Sequence, residues 1–595
     1  MISVLNWFRS IFLSVLNGFA RLVMVVVLLL VVVLVISLAH GDGVPANAVL
    51  ALDLRDAIAD SSNGEPGLLV PQPVTVMDLV LALDAARRDG RVKGVTVRLG
   101  DGSVSLAQAE EIAPALSALR RAGKFVLVHA AGFNSGGLGD YVTAAAADAI
   151  WMPSKAHFAP AGTGLGEIFL RGLFDKVQAQ PQIAKRAEYK SAADMYMEKG
   201  MTAPDREQLT RVAQSTYDSG VAAIAAARHL DPATVRTALD ASPQMSEDAL
   251  AAHLIDHIGY DDELGAEALA KAGPGARTFK MKDYVRSRDA AINAPIAIVE
   301  AEGEIRDGTA GDSLFSSNDG IASDDLSAAI NQATRDKAIK AIVLRVDSPG
   351  GSVSASDQIL HAVRKAQAAG KKVVVSMGGV AASGGYYISL SADRIVAQPA
   401  TLTGSIGVLT GKVSVDKSLG LVGVSAEEVS AGKNTLMDSS LRPYTPDQWA
   451  ALNREADAIY GDFTQKVAAG RKLPLTQVQD VARGRVWTGA DAKTKGLVDE
   501  IGGFWTAADL AARLAGVSAT NTSFKVYPRN THVLGGLRAL LGGADATLTT
   551  FGATLGQVRA LLGLPGVQEA VRAAAEAPRG KVELLAPGLN HRPGL

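Results

Sequence analysis

An apolar run close to the amino terminus gives way to an alternation of short valine-rich segments and amphipathic stretches that repeats along the chain. From Leu22 to Ala39 the sequence reads "LVMVVVLLLVVVLVISLA", 18 residues without a charge. A helix of that length spans roughly 27 Å, about the hydrocarbon thickness of a bilayer. Arg9 and Arg21 precede the run and Asp42 is the first charge after it, so the positive-inside rule puts the amino terminus in the cytoplasm. The pattern predicts a single-pass anchor over 22–39, behind a cytoplasmic segment over 1–21. A cleaved signal peptide ending at Ser37-Leu38-Ala39 is the competing reading, but the apolar run and the segment ahead of it are both long for one.

Beyond the anchor the hydrophobic pattern occurs twice. "VKGVTVRLGDGSVSLAQAEEIAPALSALRRAGKFVLVHAAG" (Val92 to Gly132) and "IKAIVLRVDSPGGSVSASDQILHAVRKAQAAGKKVVVSMGG" (Ile339 to Gly379) share one order of elements. Each has an apolar strand, a glycine turn ending in Gly-Ser-Val, an amphipathic helix, and a Gly-Lys step into a valine-rich strand. Further matches, "TAAAADAIWMPSKA" with "SLSADRIVAQPATL" and "AHLIDHIGYDDEL" with "TKGLVDEIGGFWT", keep the offset near 245 residues. Strands that are apolar throughout, alternating with helices, predict a parallel sheet covered on both faces. The expected fold is therefore α/β, with a first copy over 50–285, a second over 295–515 and an extension over 516–595. Leucine–alanine segments in 531–595 suit packing on the domain, an oligomer contact or a membrane-surface patch, and the sequence does not choose among them.

Composition narrows the function. A net charge of −2 in 595 residues leaves no basic excess for nucleic acid, and the absence of cysteine removes disulfides, thiolate metal sites and a cysteine nucleophile. At 48% hydrophobic and 20% charged residues, the chain has ample material for packed cores.

Candidate chemistry gathers in the second copy. In "KKVVVSMGGVAASGGYYISLSA" a buried strand turns into a helix at Ser383, while "AIVLRVDSPGGSV" ends a strand in Gly350-Gly351. Backbone N–H groups of Gly351 and Gly384, with no Cβ blocking approach, form a credible oxyanion hole. The bland reading is that small residues there only allow close helix–strand packing. The first copy has "GDGSV" and "AGFNSGGLGDY" instead, and aligning Tyr141 with Tyr386 sets Leu138 opposite Ser383, so copy one reads as degenerate. A serine needs a base. None of the nine histidines supplies a triad signature. His253 and His257 have the spacing of a metal pair on a helix, yet a surface helix turn is the simpler reading. "SAGKNT" (Ser430 to Thr435) lacks the first glycine of a phosphate loop. A lysine remains as a base, provided that burial brings its pKa from about 10.4 toward 7.

The anchor, the tandem repeat, "DSPGGS", "AASGGYY" and "TLTGSIGV" together resemble the bacterial signal peptide peptidase A family in its double-length form, a Clp/crotonase-like serine protease family. The resemblance covers roughly 20–515. It implies Ser383 as nucleophile, Lys190 of "AEYKSAADMY" in the first copy as general base, and Ser405 as support for the lysine amine. It also implies that residues beside the nucleophile form the oxyanion hole. Single-copy relatives take both residues from one repeat, which makes Lys433 in "EVSAGKNTLMD" the competitor. The resemblance further implies degradation of remnant signal peptides on the periplasmic side of the inner membrane. It implies a homo-oligomer, a tetramer in the family, and requires neither a metal nor an organic cofactor. A catalytically inactive membrane scaffold and a crotonase-like acyl-CoA enzyme are the readings of other classes.

Overall fold

Strands buried on both faces need helices on both sides, and each copy is built that way. The computed structural model describes residues 42–61, 74–100, 102–287, 294–309, 320–518 and 523–528, the backbone of Glu583–Leu585, and the helical positions Met24 and Leu28. Those two positions apart, the expected anchor over 22–39 lies outside the described residues. Among the described residues no helix is long and apolar enough to cross a membrane.

In copy one, six parallel strands lie in the order His257–Ile258, Ala149–Met152, Phe125–Ala130, Val92–Leu99, Ala48–Leu54, Arg277–Lys280. Copy two repeats that order with Glu500–Ile501, Arg394–Ala397, Lys372–Ala382, Ala341–Ser348, Ile296–Glu302 and Phe524–Tyr527, again parallel. An antiparallel pair, Leu402–Gly404 with Val486–Thr488, extends it beside the end of Lys372–Ala382.

The correspondence reaches single hydrogen bonds. Tyr141 and Tyr386 are both buried, and their hydroxyls donate to the carbonyls of Leu254 (2.8 Å) and Leu497 (3.0 Å). Asp148 and Asp393 each accept the N–H of the second residue of the neighbouring strand, from Val126 and Val373. Two 26-residue helices, Ala203–Arg228 and Pro446–Arg471, are capped by Thr202 and Thr445 and end on left-handed residues, His229 and Lys472. That helix pair puts Lys190 and Lys433 at the same position of the repeat.

The copies share a core. Helix Phe504–Leu514 and one face of the second sheet pack into the apolar cluster built mainly by copy one. A buried ion cluster crosses the same boundary. Arg345, on strand Ala341–Ser348, donates from Nε and Nη2 to the two carboxylate oxygens of Asp60 (2.7 and 2.6 Å). Its Nη1 reaches Glu111 (3.0 Å) and Ser376 (2.8 Å). Glu111 also accepts the Phe504 N–H and the Gln398 amide. Glu302 and Asp347 stand alongside, and burial pushes both of their carboxyls up, with the charge of Asp60 adding to it.

A further exchange between copies matters more for chemistry. Strand Gln180–Arg186 of copy one leaves its own domain and pairs antiparallel with Val408–Ser414 of copy two along its whole length. Four residues beyond that strand stands Lys190.

Candidate active site

Ser383 ends strand Lys372–Ala382 and begins helix Gly384–Ser389, with φ 56° and ψ −113°. A non-glycine residue in that region costs on the order of 1–3 kcal/mol, and the surroundings hold it there. Its N–H donates to the Gly404 carbonyl (2.8 Å), its carbonyl accepts from Tyr387 N–H, and the side chain is fully buried.

Lys190 is also fully buried. Its Nζ lies 2.7 Å from Ser383 Oγ, 3.1 Å from Ser405 Oγ and 3.0 Å from the Ser405 carbonyl. A neutral amine has two N–H donors and one lone pair. Ser405 takes the two donors and the Ser383 hydroxyl can donate to the lone pair, so three partners match three functions. Burial holds the Lys190 pKa well below the usual lysine value, and among the described residues no carboxylate is close enough to restore it.

Two glycines admit the lysine. A Cβ on Gly484 would meet the backbone N of Lys190 at 2.6 Å, and one on Gly407 would meet Lys190 Cδ at 3.1 Å. Gly484 also has φ +75°, which disfavours any side chain. Gly351 and Gly384 come together beside Ser383, since a Cβ on Gly384 would meet the Gly351 nitrogen at 3.1 Å. All five residues singled out from sequence, Ser383, Lys190, Ser405, Gly351 and Gly384, therefore gather at one place.

The alternatives fall elsewhere. Lys433 is exposed and pairs with Asp447 at 2.9 Å. The expectation of a helix turn for His253 and His257 is corrected. His253 is a left-handed residue in the turn after helix Ser246–Ala251, and His257 lies on an edge strand stacked on Trp151. In copy one, Asp140 on the helix corresponding to that of Ser383 accepts the N–H groups of Gly102 (2.7 Å) and Val104 (2.9 Å). Gly102 is the counterpart of Gly351. A buried carboxylate thus holds the donor that an oxyanion would need, and copy one offers no such pocket.

One strand at the site had no signal in the sequence. Glu583–Leu585 lies antiparallel to Gly350–Ser352, with Leu584 opposite Gly351, and its Glu583 is paired with Leu409 on the other side. A slot one strand wide therefore runs past Gly351, and the chain's own segment occupies it.

The sequence matches the model of peptidase family S49 twice, over 118–273 and 365–518. This chain belongs to that family. It is a serine protease. A Clp protease model also matches over 314–401. The chain is similar to the chloroplastic serine protease SPPA of Arabidopsis thaliana, 30% identical over 85% of this chain and 75% of that one. It is likewise similar to protease 4 of Haemophilus influenzae, 31% identical over 77% of this chain and 75% of the relative. Protease 4 of Salmonella typhi is 31% identical, over 79% of each. Both S49 matches fall on the repeated α/β copies, in agreement with the tandem Clp-like architecture expected from the sequence.

Proposed function

We propose that this S49 protease is a membrane-anchored endopeptidase that degrades remnant signal peptides with a Ser383–Lys190 dyad. The observation that carries the reading is the 2.7 Å contact between a serine on a strained turn and a buried lysine amine. Neutral Lys190 takes the proton as Ser383 Oγ attacks the scissile carbonyl. The N–H groups of Gly351 and Gly384 receive the oxyanion. Protonated Lys190 then hands its proton to the leaving amine, and a water activated by the same amine hydrolyses the acyl-enzyme. Ser405 keeps the amine aimed at Ser383 in both steps.

Substrate enters this picture as a strand. The slot filled by Glu583–Leu585 offers backbone pairing on both sides, so an extended peptide gains affinity without sequence-specific contacts. Apolar segments released into a membrane suit a protease tethered by residues 22–39 with its catalytic copies on the periplasmic side. With the full-length protein in detergent, a synthetic signal peptide should be cut within its apolar segment, whereas the Ser383→Ala variant leaves it intact. Cleavage of folded, polar proteins at an equal rate would overturn the substrate assignment.

The repeat also supports a head-to-tail oligomer. In copy one the arm Gln180–Arg186 finds a host strand on copy two. The matching arm of copy two, residues 423–429, pairs with no strand among the described residues, with Val424 49% and Val429 98% exposed. The matching host region of copy one is likewise without a strand partner among them and exposes Leu165 and Ile168. A neighbouring chain can make that second pairing, and such a contact builds a ring when its rotation closes. Because the protein contains no cysteine, chains carrying Ile168→Cys and Val424→Cys should be joined by a short bis-maleimide into dimers and higher species. Recovery of monomer alone at micromolar protein would contradict this contact.

A further inference from the structure

We infer that Gln208 is a positioning residue for the catalytic lysine, an inference that rests on the Ser383–Lys190 reading. Lys190 carries a long side chain with about 2 kcal/mol of rotamer entropy, and its amine must stay within hydrogen-bond reach of one hydroxyl. Something has to fix the backbone that bears it. Gln208, on helix Ala203–Arg228, is fully buried. Its amide nitrogen lies 3.1 Å from the Tyr189 carbonyl and 2.9 Å from Ser191 Oγ, the residues on either side of Lys190. Asp205 Oδ1, 3.0 Å away, holds the same amide nitrogen in place. On its other side, Gln208 Oε1 accepts the N–H of Val486 (3.2 Å).

That last bond leads to the remainder of the dyad. Val486 opens the copy-two strand paired with Leu402–Gly404, and the carbonyl of the preceding Arg485 accepts the N–H of Ser405 (2.8 Å). One glutamine thus ties the two neighbours of Lys190 in copy one to strand Val486–Thr488 of copy two, which pairs with the strand that ends in Gly404 and leads into Ser405. Gly404 in turn accepts the Ser383 N–H. The repeat supplies a contrast. Gln208 corresponds to Ala451 on helix Pro446–Arg471; there the amide of Gln448 reaches only Asn434, on one side of the corresponding lysine, and Lys433 stands 77% exposed.

The cations around the loop are already paired. Arg483 pairs with Glu188, Arg485 with Glu207 and Lys185 with Asp194, while Asp205 binds Gln208 through Oδ1 and stands near Glu167, whose carboxyl is pushed up to about 8 by burial and the charge of Asp205. Burial is what acts on the Lys190 amine, so loosening the loop should admit water and let its pKa rise.

The test is the pH profile of peptide-ester hydrolysis by the full-length protein carrying Gln208→Met, with Lys190→Ala as control. At neutral pH the variant should lose about 100-fold in kcat, the scale of a misplacement near 1 Å, with KM little changed. The rise of rate with pH should move to higher pH, so that much of the loss is recovered in alkaline buffer. A purely structural role would lower active protein at every pH and leave the profile in place, which would overturn the inference. So would a wild-type rate in the variant beside an inactive Lys190→Ala. If Lys190→Ala stays active, the dyad reading fails and this inference with it. Should Gln208→Met not assemble, Gln208→Ala, which leaves room for water, is read by the same profile and the same two outcomes.

Discussion

Lys190→Met is expected to lower kcat/KM for a peptide ester by about 10⁴-fold, the scale on which catalytic groups acting as a unit fail, and at the same time to raise the melting temperature. Methionine keeps most of the apolar stem and removes the amine. The stability gain follows from linkage. Burial depresses the folded-state pKa of Lys190, so between that value and the ordinary lysine value of 10.5 the unfolded chain binds a proton that the folded chain does not. Stability rises with pH across that window, and the amine costs most below it. The advantage of the methionine variant should therefore be largest near neutral pH and below, and should shrink as pH approaches 10.5. Thermal melts at several pH values, run beside the assay, check both halves. Full activity in a folded variant would make Lys190 an inert buried residue.

Arg345→Met is expected to cost about 3–5 kcal/mol, because it leaves Asp60 and Glu111 buried without their cation. Arg345 belongs to copy two and both carboxylates to copy one, so the loss falls on the contact between copies. Activity should fall with it, since the dyad spans the same boundary. Replacing all three charged residues by apolar ones of similar volume should recover most of the stability, as a buried ion cluster is worth little against good apolar packing. Urea unfolding of the single and triple variants separates these outcomes. A single variant within about 1 kcal/mol of wild type would show that water reaches the cluster.

The tandem architecture was legible in the sequence because each copy keeps its strand-turn-helix order. The alignment of Tyr141 with Tyr386 reappears as two equivalent tyrosine-to-carbonyl bonds. Ser383 and its glycines were legible for a similar reason: a strand-to-helix turn between small residues has few other uses. The lysine was not legible from its own surroundings. Lys190 and Lys433 occupy the same position of the repeat, and what separates them is an arm that crosses to the other copy for one and stays in solvent for the other. That difference is a contact across 193 residues, which local pattern does not encode. Arg345 was hidden in the same way. Within "AIVLRVD" it reads as one polar interruption of a buried strand, and its carboxylate partners lie 285 and 234 residues away. Asp140 shows the converse. The sequence marked copy one as degenerate by the missing serine, whereas the structure adds that a carboxylate fills the donor site.

Labelling of the full-length protein with a fluorophosphonate, followed by mass spectrometry of its peptides, is the sharpest test of a dyad shared between the two copies. Rapid modification of Ser383 alone is expected in the wild type, at a rate that rises with pH through the depressed pKa of Lys190, with little labelling in Lys190→Met. Modification of Ser383 at the same rate in both proteins, or labelling of another serine, would contradict the shared dyad.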